Sequence, residues 1–321
     1  MSLPSFLEPL PAAFHLPASP NGGYIDALHR SKRLSLSSHA LWWPSKTKST
    51  DALVIMIPGN PGLAQFYTPF LTAIYEKCNG TLPIMVSALV GHTPHIDDSA
   101  RVFEDPSTVA LSAQVEHLVD LVDAAAAVYG KIVLIGHSVG SWLALQVLRA
   151  RPDAVDHIFL LFPTIAHIGS TPRGRSLSWL FHAPLPRFIS SASYATRLIP
   201  TRLLAWMFSD WPPAQLAVLR SLLNSPSVVF AALTMAHDEM NTINEPDIPL
   251  LQTFSNRIHL YYGETDGWVD EQKALLLKEL ELHVDVKIAH APEDIPHAFV
   301  INHGEELAAQ CYEWLLLADV V

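Results

Sequence analysis

Short apolar runs recur along this chain, and segments with helical periodicity separate them. Residues 53–57 read Leu-Val-Ile-Met-Ile and stop at Pro58-Gly59. Residues 83–90 form a second run, stopped by Gly91, and 132–135 a third, stopped by Gly136. His157–Leu161 and Ile258–Tyr262 are a fourth and a fifth, and 284–289 is a sixth. Such a run, bounded by turn residues, suits a strand buried on both faces. Leu111, Val115, Leu118, Val119, Val122 and Ala126 recur three or four apart, which predicts a helix over 111–128, closed by Gly130. Helical spacing also covers 66–75, 140–150, 271–282 and 305–317. Alternating strands and helices predict an α/β fold, a mostly parallel sheet with helices on both faces.

Between residues 163 and 256 this rhythm stops. The stretch has helical patches, many prolines and no buried-strand pattern. It is expected to be a helical cap inserted between two strands, with 1–162 and 257–321 forming the core. No internal repeat or low-complexity tract interrupts the chain.

Composition narrows the class. Of 321 residues, 50 % are hydrophobic and 16 % charged, which excludes disorder for most of the chain and allows a large core. A net charge of −11 argues against a nucleic-acid partner. The two cysteines, Cys78 and Cys311, cannot make a disulfide framework, so a reducing compartment is expected. The first basic residue is Arg30, and five prolines interrupt residues 1–20. No stretch reaches the about 18 uninterrupted apolar residues of a membrane span. The expectation is a cytoplasmic protein, neither secreted nor membrane-spanning.

Gly136-His137-Ser138-Val139-Gly140 is a G-x-S-x-G motif set between a predicted strand and a predicted helix. That context makes it a nucleophile elbow. An abrupt strand-to-helix turn exposes the central side chain in a strained conformation, and the flanking glycines let the two backbones approach. The helix N-terminus beneath Ser138 favours a developing anion.

A serine hydroxyl needs a base and an orienting acid, here expected in the order Ser, acid, His on loops after later strands. Asp266 lies just past the Ile258–Tyr262 strand, with Glu264 and Asp270 as rivals. His297 lies in the loop before the last helix, with His290 and His303 as rivals among 16 histidines. Two backbone N–H groups should complete an oxyanion hole. The residue after the nucleophile, Val139, supplies one. The turn Pro58-Gly59-Asn60-Pro61-Gly62 supplies the other, with Asn60 the best candidate. Gly91-His92-Thr93-Pro94-His95 lacks a spaced third metal ligand and reads as a loop near the site mouth. Neither a phosphate loop nor a dinucleotide fingerprint is present. No metal and no cofactor is expected.

The inserted stretch has its own signature. Residues 165–235 hold six arginines, no lysine, no glutamate and one aspartate, a local charge of +5 against −16 for the rest of the chain. Trp179, Phe181, Trp206, Phe208 and Trp211 are interleaved with Arg187, Arg197 and Arg202. This composition fits a peripheral lipid-surface contact. It fits equally a cap that buries its apolar face on the sheet and shows arginine to water.

Ile57-Pro58-Gly59-Asn60-Pro61-Gly62 with Phe66-Tyr67, then Gly-His-Ser-Val-Gly, then Leu161-Phe162-Pro163-Thr164-Ile165 resembles the lipid-droplet-associated hydrolase family of the α/β-hydrolase superfamily. The resemblance implies an α/β-hydrolase fold over nearly the whole chain. It implies a serine lipid esterase at the lipid-droplet surface, acting on sterol esters or acylglycerols. It places the family's triad on Ser138, Asp266 and His297. Two alternatives stand beside it: a soluble short-chain esterase or thioesterase, and a droplet surface protein with weak or vestigial hydrolase activity.

Overall fold

The computed structural model describes residues 3–11, 23–34, 36–47, 50–94, 99–281, 287–290, 292 and 295–321. Among these, nine strands make one sheet: β1 (Glu8–Pro9), β2 (Ile25–Arg30), β3 (Ser37–Trp43), β4 (Ala52–Ile57), β5 (Ile84–Ser87), β6 (Lys131–His137), β7 (His157–Leu161), β8 (Ile258–Tyr262) and β9 (Lys287–His290). Their spatial order is β1-β2-β3-β5-β4-β6-β7-β8-β9. The β5-to-β9 part is parallel, and β1, β2 and β3 add antiparallel strands to its β5 edge. Three strands therefore precede the first one expected from sequence. The sixth expected run is strand at 287–290, while 284–286 lie outside the described residues.

The uninterrupted apolar runs follow from double burial. Along β4, Leu53, Ile55 and Ile57 face one cluster, while Val54 and Met56 face the other. Helices α1 (Thr68–Lys77) and α12 (Gly304–Leu317) cover the second face. Helices α3 (Leu111–Ala126), α4 (Val139–Ala150) and α11 (Asp270–Glu281) cover the first. A short helix, α2 (Ser99–Glu104), lies between β5 and α3.

The segment between β7 and β8 is helical: α5 (Pro172–Leu177), α6 (Leu185–Ser193), α7 (Thr201–Met207), α8 (Pro213–Leu223), α9 (Pro226–Thr242) and α10 (Ile248–Thr253). No strand occurs in it. Leu250 and Leu251 of α10 join the core cluster that α3 and α4 cover, as do Met235 of α9 and Ile243 just after it. Among the described residues, no single helix is long and apolar enough to cross a membrane.

Candidate active site

The elbow is built by close backbone contact. Ser138 takes φ 54° and ψ −124° between β6 and α4, a conformation a non-glycine residue adopts at a cost of about 1–3 kcal/mol. A Cβ on Gly140 would strike the carbonyl oxygens of Ile57 and Pro58, and one on Gly136 would strike the Gly140 carbonyl. Only hydrogen fits at either position, so β4, β6 and α4 converge on Ser138.

Three side chains expected to work together are brought into line. The Ser138 hydroxyl lies 3.0 Å from His297 Nε2, and His297 Nδ1 lies 2.6 Å from Asp266 Oδ2. The other Asp266 oxygen accepts the Trp268 N–H at 2.9 Å. Asp266 thus reads its neighbour's backbone with one oxygen and orients the imidazole with the other. Its carboxylate is 3 % exposed, and the imidazole 18 %. Phe162 packs its ring against His297 and stacks on Phe299. The rival acid Glu264 is exposed. Of the rival bases, His290 is exposed, and His303 caps α12 and faces Glu306 at 3.4 Å.

The loop after β4 is tied down by three polar anchors. Gly59 N–H donates to Tyr67 Oη at 2.7 Å, and Gly62 N–H donates to His92 Nδ1 at 2.9 Å. Asn60 Nδ2 donates to the Ala232 carbonyl and to Glu239 Oε1, each at 2.9 Å. The Asn60 and Val139 backbone N–H groups donate to no protein group among the described residues. Val139 opens α4, where helix geometry leaves the N–H unpaired. His92 is thus an anchor for this loop; His95 lies outside the described residues.

Sequence reasoning assigned no role to Tyr67 or His137, although both stand inside the quoted motifs. His137 Nε2–H donates to the His297 carbonyl at 2.9 Å. That fixes the tautomer, so Nδ1 accepts the Tyr67 hydroxyl proton at 2.7 Å. Burial, with His297 adding to it, pushes the His137 imidazole down to about 3 and keeps it neutral. One chain of hydrogen bonds therefore joins Gly59, Tyr67, His137 and the backbone of His297.

A cavity of about 510 Å³ opens between the sheet's carboxyl ends and the inserted helices. Its walls are mostly apolar, including Ile168, Leu219, Leu222, Val229 and Leu233, and Ser138 and His297 stand at its floor. Two residues read from sequence as lipid contacts belong here instead. Phe181 is buried and lines the cavity, and Trp211 lines it while packing on Phe66 and Phe208. Both rings turn inward because the cavity offers more apolar surface than solvent does. Phe208 is half-buried. Trp179 and Trp206 stay outside, at 61 % and 76 % exposure. Arg187, Arg197 and Arg202 are also exposed, Arg187 reaching the Phe103 carbonyl and Arg197 stacking on Tyr194. Phe188 and Leu198 share this outer surface at 67 % and 85 % exposure, and sequence reasoning did not single them out.

The strand order, the serine turn between β6 and α4 and the acid and histidine on loops after β8 and β9 define an α/β-hydrolase. Solved structures agree on the fold. A bacterial membrane phospholipase A superposes with a TM-score of 0.64 at 14 % identity, over 93 % of this chain and 87 % of its own. A haloalkane dehalogenase of Agrobacterium tumefaciens gives 0.64 at 14 % identity, over 92 % and 97 %. The family model described as lipid-droplet associated hydrolase matches residues 50–300, and the chain belongs to that family. Relatives named lipid droplet-associated hydrolase include one from Rattus norvegicus, 30 % identical over 82 % of this chain and 84 % of the relative. One from Homo sapiens is 28 % identical over 84 % and 86 %.

Proposed function

We propose that this hydrolase is a serine carboxylic-ester hydrolase acting on apolar lipid esters, sterol esters or acylglycerols, at a lipid-droplet surface. The line from Ser138 Oγ through His297 to Asp266 carries the reading. His297 Nε2 takes the hydroxyl proton as Ser138 attacks the ester carbonyl. The imidazolium that forms is stabilised by Asp266, which also fixes the tautomer. The Asn60 and Val139 N–H groups hold the oxyanion where charge develops. His297 then returns its proton to the departing alcohol, and water cleaves the acyl-enzyme by the same path in reverse. No step calls on a metal or a cofactor.

The apolar cavity supports a lipid acyl group as the part of the substrate that is buried. The helices between β7 and β8 act as a cap over it. Their outer face, with Trp179, Trp206, Phe188 and Leu198 among the arginines, supports peripheral docking on a lipid monolayer. The droplet assignment follows the names of the relatives.

Replacing the nucleophile tests the reading. Ser138→Ala is expected to abolish labelling by a fluorophosphonate probe and to lower ester turnover by at least about 10³-fold. A mutant that still labels, or still turns over lipid ester like the wild type, would remove the assignment. Wild-type preference for short soluble esters over emulsified long-chain ones would point instead to a soluble esterase.

A further inference from the structure

Helix α9 carries an acidic side chain that the reaction above does not use. Glu239 is 4 % exposed and lines the cavity among Ala232, Ala236 and Met240 of the same helix. Its Oε1 accepts from Asn60 Nδ2. Its Oε2 has no hydrogen-bond partner among the described residues. Burial pushes this carboxyl up to about 8, against the Asn60 hydrogen bond and with the neighbouring Asp238 carboxylate adding to the rise. Near neutral pH it is therefore mostly the uncharged acid. Oε1 faces a donor, so the proton sits on Oε2.

Oε2 opens on the cavity, where water can meet it; a substrate that displaces that water without offering an acceptor leaves the donor unpaired, at a cost of about 1–3 kcal/mol. The position of this one is informative. Asn60 offers its side chain to Glu239 while its backbone N–H is the oxyanion donor. The acid therefore stands one side-chain length from the reacting carbonyl, not out along the acyl tail. We propose that Glu239 is a substrate-binding residue that selects esters with a free hydroxyl close to the ester bond, as in partial glycerides, over wholly apolar esters. The glycerol hydroxyl accepts from Oε2–H. An ester lacking that oxygen leaves the donor unpaired, and a site built to hydrogen-bond a substrate hydroxyl discriminates strongly against the analogue without it.

This inference rests on the roles given to Ser138 and Asn60 and narrows the substrate class from sterol esters and acylglycerols to acylglycerols with a free hydroxyl, and the experiment separates the two. The full chain is assayed on monodecanoyl glycerol and on propyl decanoate, which is the same ester without the two hydroxyls. Wild type should favour the glyceride by at least tenfold in kcat/KM. Glu239→Gln keeps an acceptor for Asn60 and gains an N–H donor, and it should keep most of that preference. Glu239→Leu should bring the ratio close to one. A wild-type ratio near one overturns the proposal whatever the variants do. An unchanged ratio in Glu239→Leu overturns it too, as does an equal loss on both esters, which would mark a merely structural or oxyanion role. If Ser138→Ala hydrolyses both esters like wild type, the parent reading has failed instead. If Ser138→Ala is inactive and the wild-type ratio is one, only this inference has failed.

Discussion

At the residue scale, two side chains show how position sets role. Asp266 holds His297 Nδ1 at 2.6 Å, which turns Nε2 toward Ser138, the arrangement the proposed mechanism uses. Asp266→Asn would place an amide where the carboxylate accepts, favour the opposite tautomer and remove stabilisation of the imidazolium. A fall in kcat of about 10⁴-fold with little change in KM is expected, and steady-state kinetics on a soluble ester would read it; a kcat near wild type contradicts the role. Tyr67 offers a second case. Its hydroxyl satisfies the buried Gly59 N–H and donates to His137. Tyr67→Phe strands both partners and should lower stability by about 2–6 kcal/mol, at about 1–3 kcal/mol per orphaned group. An unchanged urea midpoint would refute that accounting. That Ser138, His297 and Asp266 would be brought into line could be read from sequence because chain order and strand ends select them. Tyr67, His137 and Glu239 could not, since partners of theirs lie 70, 160 and 179 residues away.

At the element scale, what the sequence disclosed depended on how each strand is buried. β4, β6, β7 and β8 are covered on both faces and read as plain apolar runs. β2 and β3 are not apolar runs. Their polar residues are satisfied inside the fold: Ser38 bonds Ser87 and His117, and His39 bonds Asp26. Period-based reading had no signal for those pairs, so the antiparallel edge was missed. The inserted helices show the converse limit. Their mix of arginine and aromatics was visible, but not which ring faces in, and Phe181 and Trp211 turn to the cavity. The remaining outer face makes a separable prediction. Replacing Arg187, Arg197 and Arg202 with glutamine should weaken binding to phospholipid-coated triolein emulsions that contain anionic lipid, more at low salt than at high. Each basic group near such a surface is worth about 1 kcal/mol before screening. Trp206→Ala with Leu198→Ala should weaken binding at both salt concentrations, because apolar burial is not screened. Flotation assays across a salt series would distinguish the two effects, and unaltered flotation of both variants would dismiss this face.

At the scale of the whole molecule, buried histidines set the response to acid. Burial pushes His92, His117 and His137 down to about 3 and His259 to about 4, and lowers His29 and His157 as well. In the unfolded chain each takes up a proton near the ordinary histidine value of about 6.5. Their folded values lie lower, so the unfolded state binds more protons in the window between. The stability they contribute is intact above about pH 6.5 and is lost as pH falls toward their folded values. Within that window each group can remove up to about 1.4 kcal/mol per pH unit. Glu239 runs the other way, because its raised carboxyl costs stability as pH climbs from the ordinary glutamate range toward 8. One group against six leaves the acid side steep. Domains hold only about 5–15 kcal/mol in reserve, so several histidines titrating together should exhaust it well before pH 3. Urea midpoints measured from pH 8 to pH 4.5 should rise modestly as Glu239 protonates down to about pH 6.5 and then fall sharply. Because His117 is bonded through Nε2 to Ser38 while its Nδ1 has no partner among the described residues, His117→Gln keeps a hydrogen-bonding group there without a titrating one. It should make the acid limb measurably shallower, and a limb of unaltered slope would shift the cause to the carboxylates.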